Sequence, residues 1–226
     1  MNDLTFGELD RDGALGEALE KVTGDSRADF LRKTLIGSAA LLAALSLPER
    51  AGAASRNDID ILNYALALEY LQAAFYTEAE QAKAIKGRAG EAASTVGAVE
   101  RAHVKAFLDA LGSKAVKRPQ FDFQGVTEEP RAFLKTAVAF EDLAVAAYKG
   151  EAPKLQTPAI ITTALGIHTV EARHAAWMRY LYGIRPAVNA FDEPRTRSEI
   201  NKIVRETGFV TSTPQTRSSQ APRYTG

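Results

Sequence analysis

The sequence predicts an all-α protein, a four-helix bundle made of two helical hairpins joined by a long crossover. Three observations carry this expectation. From Asn57 onward the apolar residues recur with helical rather than alternating periodicity. Residues that start and stop helices divide the region into four long segments. Those segments are one pair written twice, at a repeat of about seventy residues, and two hairpins that face each other make a four-helix bundle.

The first segment begins at Asn57 or Asp58, both plausible N-caps, and runs to Lys86 with Gly87 as its stop. The second runs from Glu91 to Leu111, ahead of Gly112. Residues 113–129, with Pro119, Phe121 and Phe123, read as the crossover. The third opens at Pro130, tolerated in a first turn whose N–H groups lack helical partners, and ends at Lys149. The fourth runs from Pro158 to Tyr182, with Gly183 and Pro186 beyond it. This places the bundle within residues 55–186 and a C-terminal extension over 187–226. The extension contains a short helical segment from Thr196 to Glu206, then a stretch, 211–226, with two arginines, no acid and little to bury, which reads as disordered.

Composition narrows the chemistry. The chain has 226 residues, 28 basic and 28 acidic side chains and no cysteine. Zero net charge removes the electrostatic footprint of a nucleic-acid binder. Without thiols, any metal must be held by carboxylates and by the three histidines, His103, His168 and His174.

The first 54 residues read as an export leader with an acidic extension, removed on maturation. Seven acids stand among residues 1–25, then the chain turns basic at Arg27, Arg32 and Lys33. Residues 34–47 are uncharged and are followed by Ala51-Gly52-Ala53-Ala54. As a helix this run spans ~21 Å, short of a ~30 Å bilayer core but suited to a secretory leader. The reading is therefore of an exported protein, periplasmic, in the cell envelope or extracellular, with no stable transmembrane span. The alternative is an amphipathic helix packed on the domain. Residues 26–33 resemble the twin-arginine export motif, with Ala28 where its second arginine would stand.

The chemistry lies in the repeat. Ala65 to Tyr76 aligns with Ala137 to Tyr148, which pairs Glu69 with Glu141, each inside an apolar stretch. Glu100-x-x-His103 aligns with Glu171-x-x-His174. Residues three apart share a helix face, so each Glu–His pair can reach one ion. In an antiparallel hairpin two residues are level when their midpoint falls at the turn. Glu69 with Glu100 and His103 centres beside Gly87, and Glu141 with Glu171 and His174 centres in the turn between Pro153 and Pro158. With 17 glutamates in the chain, two Glu-x-x-His pairs among three histidines arise by chance in roughly 2% of cases. The competing account is a metal-free cluster whose glutamates pair with arginines such as Arg101 and Arg173.

Tyr76 and Tyr148 each follow a helix-borne Glu by seven positions on the same face. They are candidates to relay electrons or protons, or core tyrosines with bonded hydroxyls. His168 stands one turn before Glu171 and is read as a structural histidine or an extra group near the site. Trp177 and Tyr180 flank His174 and read as packing.

On these residues the chain resembles the ferritin-like superfamily, most closely its exported bacterial members, which are related to desiccation-associated ferritin-like proteins. The resemblance implies a ferritin-like four-helix bundle and a dinuclear centre of two divalent ions, iron first and manganese second. It further implies that Glu100 and Glu171 bridge, Glu69 and Glu141 bind terminally, and His103 and His174 each cap one ion. The implied activity is oxidation of Fe²⁺, or reaction with oxygen or peroxide, in stress protection. The alternative is a non-catalytic envelope or desiccation protein whose metals are structural. The expected partners are those small molecules, and a homo-oligomer is left open.

Overall fold

The computed structural model describes residues 54–212. The leader up to residue 53 and the tail beyond 212 lie outside the described residues. Five α-helices are present among them: α1 (Arg56–Ala82), α2 (Gly87–Leu111), α3 (Pro130–Glu151), α4 (Pro158–Tyr182) and α5 (Arg197–Thr207). α1 packs on α2 and α3 on α4 as two hairpins, and the hairpins join through α1 against α3 and α2 against α4. The four-helix bundle expected from the repeat is thus present. No helix among the described residues is long and apolar enough to cross a membrane.

Helix ends differ from the expectation at three points. Ser55 is the N-cap of α1, its hydroxyl accepting from the Asp58 N–H at 3.0 Å. Asp58 instead turns its carboxylate to the loop before α4, where it accepts from the Gln156 N–H (2.8 Å) and the Thr157 hydroxyl (2.7 Å). It ties the start of α1 to the start of α4. α1 stops at Lys83, which takes a left-handed conformation (φ 53°), and Gly87 opens α2 instead of closing α1. Its φ of +59° suits glycine, and the chain turns there into the antiparallel helix. α3 runs two residues beyond Lys149 before tightening into a 3₁₀ turn over Ala152–Lys154.

Gly97 has a packing role. A Cβ there would lie 2.9 Å from the Cβ of Tyr76, so its absence lets α1 and α2 close together beside that tyrosine.

The two ends of the bundle are filled differently. Around α1's C-terminal half, Phe75 stacks on Phe133 at 5.1 Å and meets Phe140, Phe123 of the crossover and Tyr76 edge-on. The other end is walled by Ile61, Leu62, Phe107, Tyr148, Ile160 and Ile167. α5 lies on α3, burying Ile200 against Leu143, Ala146 and Ala147. A capping box between Thr196 and Glu199 starts it. Arg197 then bonds Glu151 at 2.7 Å and stacks over the Tyr64 ring at 4.8 Å. Beyond α5, Phe209 joins the aromatic cluster. Thr211 and Ser212, expected at the head of a disordered tail, instead bond Gln120: the Thr211 N–H donates to its carbonyl at 2.9 Å, and its N–H donates to the Ser212 hydroxyl at 3.0 Å.

Candidate metal centre

The six residues singled out by the repeat meet at mid-bundle. α1 contributes Glu69, α2 Glu100 and His103, α3 Glu141, and α4 Glu171 and His174. None is more than 7% exposed. They form two groups, Glu69–Glu100–His103–Glu171 and Glu100–Glu141–Glu171–His174, in each of which one ligand atom per residue lies within 4.8 Å of all the others. Glu100 and Glu171 belong to both. Each group therefore draws on both hairpins, and the two carboxylates between them face both.

The distances have a consistent pattern. His103 Nδ1 lies 3.2 Å from Glu69 Oε2 and 3.1 Å from Glu171 Oε1. His174 Nδ1 lies 2.9 Å from Glu100 Oε1 and 3.5 Å from Glu141 Oε2. Yet both Nδ1 atoms, both Glu100 oxygens, Glu69 Oε2, Glu141 Oε2 and Glu171 Oε1 are buried without a hydrogen bond. These atoms are close but not aimed along donor–acceptor lines. Two atoms each ~2.1 Å from a shared ion and at right angles are ~3.0 Å apart, so the spacing is that of donors ranged about a common centre. Buried polar atoms left unpaired are costly, and a cluster of them at one place requires a reason. Divalent cations satisfy them: the residues fit two ions, and hard oxygen donors with imidazoles suit iron or manganese.

Two tyrosines fix which oxygens stay free. The Tyr76 hydroxyl donates to Glu141 Oε1 and the Tyr148 hydroxyl to Glu69 Oε1, both at 2.5 Å. Each tyrosine thus serves the glutamate of the opposite hairpin, not the Glu seven positions before it in its own helix. In both cases Oε1 is occupied and Oε2 is left facing a histidine. Both hydroxyls are thus hydrogen-bonded within the core. Gln72 is an addition that sequence reading missed. Its Nε2 donates to Glu171 Oε2 at 3.4 Å, and its counterpart in the repeat is Ala144, so Glu100 has no such donor. A lone amide three residues after Glu69 in an apolar stretch was the available signal.

Electrostatics shows how strained the bare cluster is. Burial, opposed by His103, pushes the Glu69 carboxyl up to about 7. Burial and then the Glu100 charge drive Glu171 well above the carboxylate range. Burial pushes Glu100 the same way, but the close approach and charge of His103 and His174 outweigh it and hold that carboxyl at about 2. Burial would lower both histidines, yet the glutamates, Glu69 foremost for His103, raise His103 far above its usual value and Glu100 with Glu141 raise His174 to about 10. The bare site balances its charge by storing protons where cations would bind.

The arginine alternative fails on geometry. Arg101 bonds Glu80 at 2.9 Å and Thr77 at 3.1 Å, away from Glu100, and among the described residues no Lys or Arg pairs with Glu69, Glu100, Glu141 or Glu171. His168 stands outside both groups. It is half-buried and its environment includes Asp192 and Lys149.

A helical bundle holding two carboxylate–imidazole groups that share a pair of glutamates defines the class: a ferritin-like domain with a buried cluster able to hold metal ions. The model of the family described as Ferritin-like domain matches residues 57–183, and the chain belongs to that family. No curated protein matches the chain significantly.

Proposed function

We propose that this is an exported ferritin-like oxidoreductase whose dinuclear centre, of iron first and manganese second, turns over Fe²⁺, oxygen or peroxide in protection against oxidative stress. The observation that carries the reading is that Glu100 and Glu171 are common to both donor groups. They are the bridging carboxylates of the proposal, Glu69 and Glu141 the terminal ones, and His103 and His174 the caps. Two ions held there would supply paired one-electron redox chemistry.

The chain's own groups do the rest. Four carboxylates carry −4 and offset two divalent charges. Tyr76 and Tyr148 keep their protons, since burial and then the neighbouring glutamates raise both phenols well above their usual range. Their hydroxyls hold Oε1 of Glu141 and Glu69 and leave Oε2 as the single free donor. Gln72 donates to Glu171, whereas Glu100 has no counterpart amide, since Ala144 stands at the repeat position. The six ligands are themselves buried, which limits the water that reaches them. Export rests on the basic, apolar and small-residue order of residues 27–54.

The test uses protein loaded with Fe²⁺ or Mn²⁺. Fe²⁺ oxidation or peroxide decay should be rapid in the parent chain and absent in Glu100→Ala. Metal-dependent melting with no turnover in the parent would instead make the ions a structural clasp and overturn the oxidoreductase reading.

A further inference from the structure

The hollow end of the bundle is built differently from its repeat counterpart, and the difference points to a ligand. Where α3 carries Ala147, the same position of α1 carries Phe75; where α2 carries Ala106, α4 carries Trp177. Likewise Leu68 stands for Phe140 and Ala110 for Leu181. The aromatic members fill one end, whereas the small members line a narrow cavity with about 30 Å³ of room for the centres of water-sized guests. The surface it exposes is apolar, although Tyr64, Glu151 and Thr163 stand among the lining residues. Water needs two to four polar partners, so such a space favours an apolar guest.

The cavity abuts the ligand layer. The Tyr148 ring forms part of its wall while the hydroxyl of the same residue holds Glu69. Ala106 lies one turn beyond His103, and Ile167, also in the wall, lies one turn before Glu171. Along α1 the lining extends from Ile61 to Leu68, ~10 Å of helix axis. That length suits a slender hydrocarbon chain better than a diatomic gas.

We infer that this end is a binding chamber for the alkyl chain of an organic molecule, presented to the centre on its Glu69–Tyr148 side. The inference deepens the proposed function by naming a substrate class and rests on it for the chemistry, though not for the binding.

The experiment titrates the full chain, with and without added Fe²⁺, with 1-octanol by calorimetry, and tests the crystal under xenon. Saturable binding of one octanol per chain with a negative heat-capacity change is expected, as for burial of apolar surface. Ala147→Phe and Ala110→Leu, each restoring the counterpart's bulk, should weaken octanol at least tenfold and leave metal uptake unchanged. The second variant guards against misfolding of the first. No saturable binding, entry of xenon without octanol, or octanol binding indifferent to both variants would each overturn the chamber. Octanol binding in a chain that takes up no metal would uphold the chamber and overturn the proposed function, whereas metal uptake and turnover without octanol binding would uphold the proposed function and overturn the chamber.

Discussion

The aromatic-filled end and the hollow end of this bundle occupy equivalent places in a duplicated unit, yet only the first is packed to closure. Phe75, Phe133 and Phe140 interlock at one end, while Ala147, Ile61 and Leu68 stand at the equivalent positions of the other. Between them the ligand layer keeps its symmetry almost completely: each half supplies Glu, Glu-x-x-His and a tyrosine that bonds the other half's glutamate. The contrast teaches that metal ligation and core packing answer to different constraints. Six donors about two centres tolerate no drift, because each lost donor leaves a buried charge uncompensated. Core residues can change size wherever the volume is put to another use.

The contrast should show first in stability. Phe75→Ala removes a fully buried ring with four aromatic neighbours and is expected to cost about 3–5 kcal/mol, while Ala147→Phe, entering empty space, should cost less than about 1.5 kcal/mol. Denaturant melts of the two variants measure the difference; equal losses would mean the ends are equally packed. Next come the tyrosines. Tyr76→Phe and Tyr148→Phe should each weaken metal binding by about 10–100-fold, the usual range for a group that orients a ligand. Similar losses in the two halves confirm a symmetric ligand layer set between asymmetric ends, and a loss confined to one tyrosine breaks that symmetry.

A smaller effect concerns protons. His174 holds its proton to about 10 and Glu69 to about 7 in the bare site. Both folded-state values are raised, so at pH 7 cations must displace bound protons, and affinity should rise with pH by up to about tenfold per unit for each proton released. Calorimetry in buffers of differing ionisation heat counts them. No proton release at pH 7 would show that the histidines and glutamates are already bare. Least affected of all should be Arg101→Ala. Its exposed pair with Glu80 contributes less than about 1 kcal/mol, and metal uptake should be unchanged, unlike what an arginine-neutralised cluster would give.

Much of this was legible in the chain because it is local and periodic. Helical spacing placed Glu100 with His103 and Glu171 with His174, and the hairpin midpoints brought Glu69 and Glu141 level with them. Helix ends were less legible: Gly87 looked like a stop, yet its positive φ serves the start of α2, and Lys83 takes the left-handed turn that glycine was expected to make. The tyrosines were found by position, but the glutamate each one bonds was not read from the chain. Which Glu each would meet depends on α1 packing against α3, a tertiary fact. The hollow end was written in the repeat as Phe against Ala and Trp against Ala, but a size difference becomes a cavity only when nothing else in the fold moves in to fill it.

The most direct test of the dinuclear centre is metal stoichiometry, measured by elemental analysis of the purified full chain and of four single Glu→Ala variants. Two ions per chain are expected in the parent, one in Glu69→Ala and in Glu141→Ala, and fewer than one in Glu100→Ala and in Glu171→Ala, because those two residues serve both positions. A parent chain that holds no metal under saturating Fe²⁺ or Mn²⁺, or a Glu100→Ala variant that keeps both ions, would contradict the account.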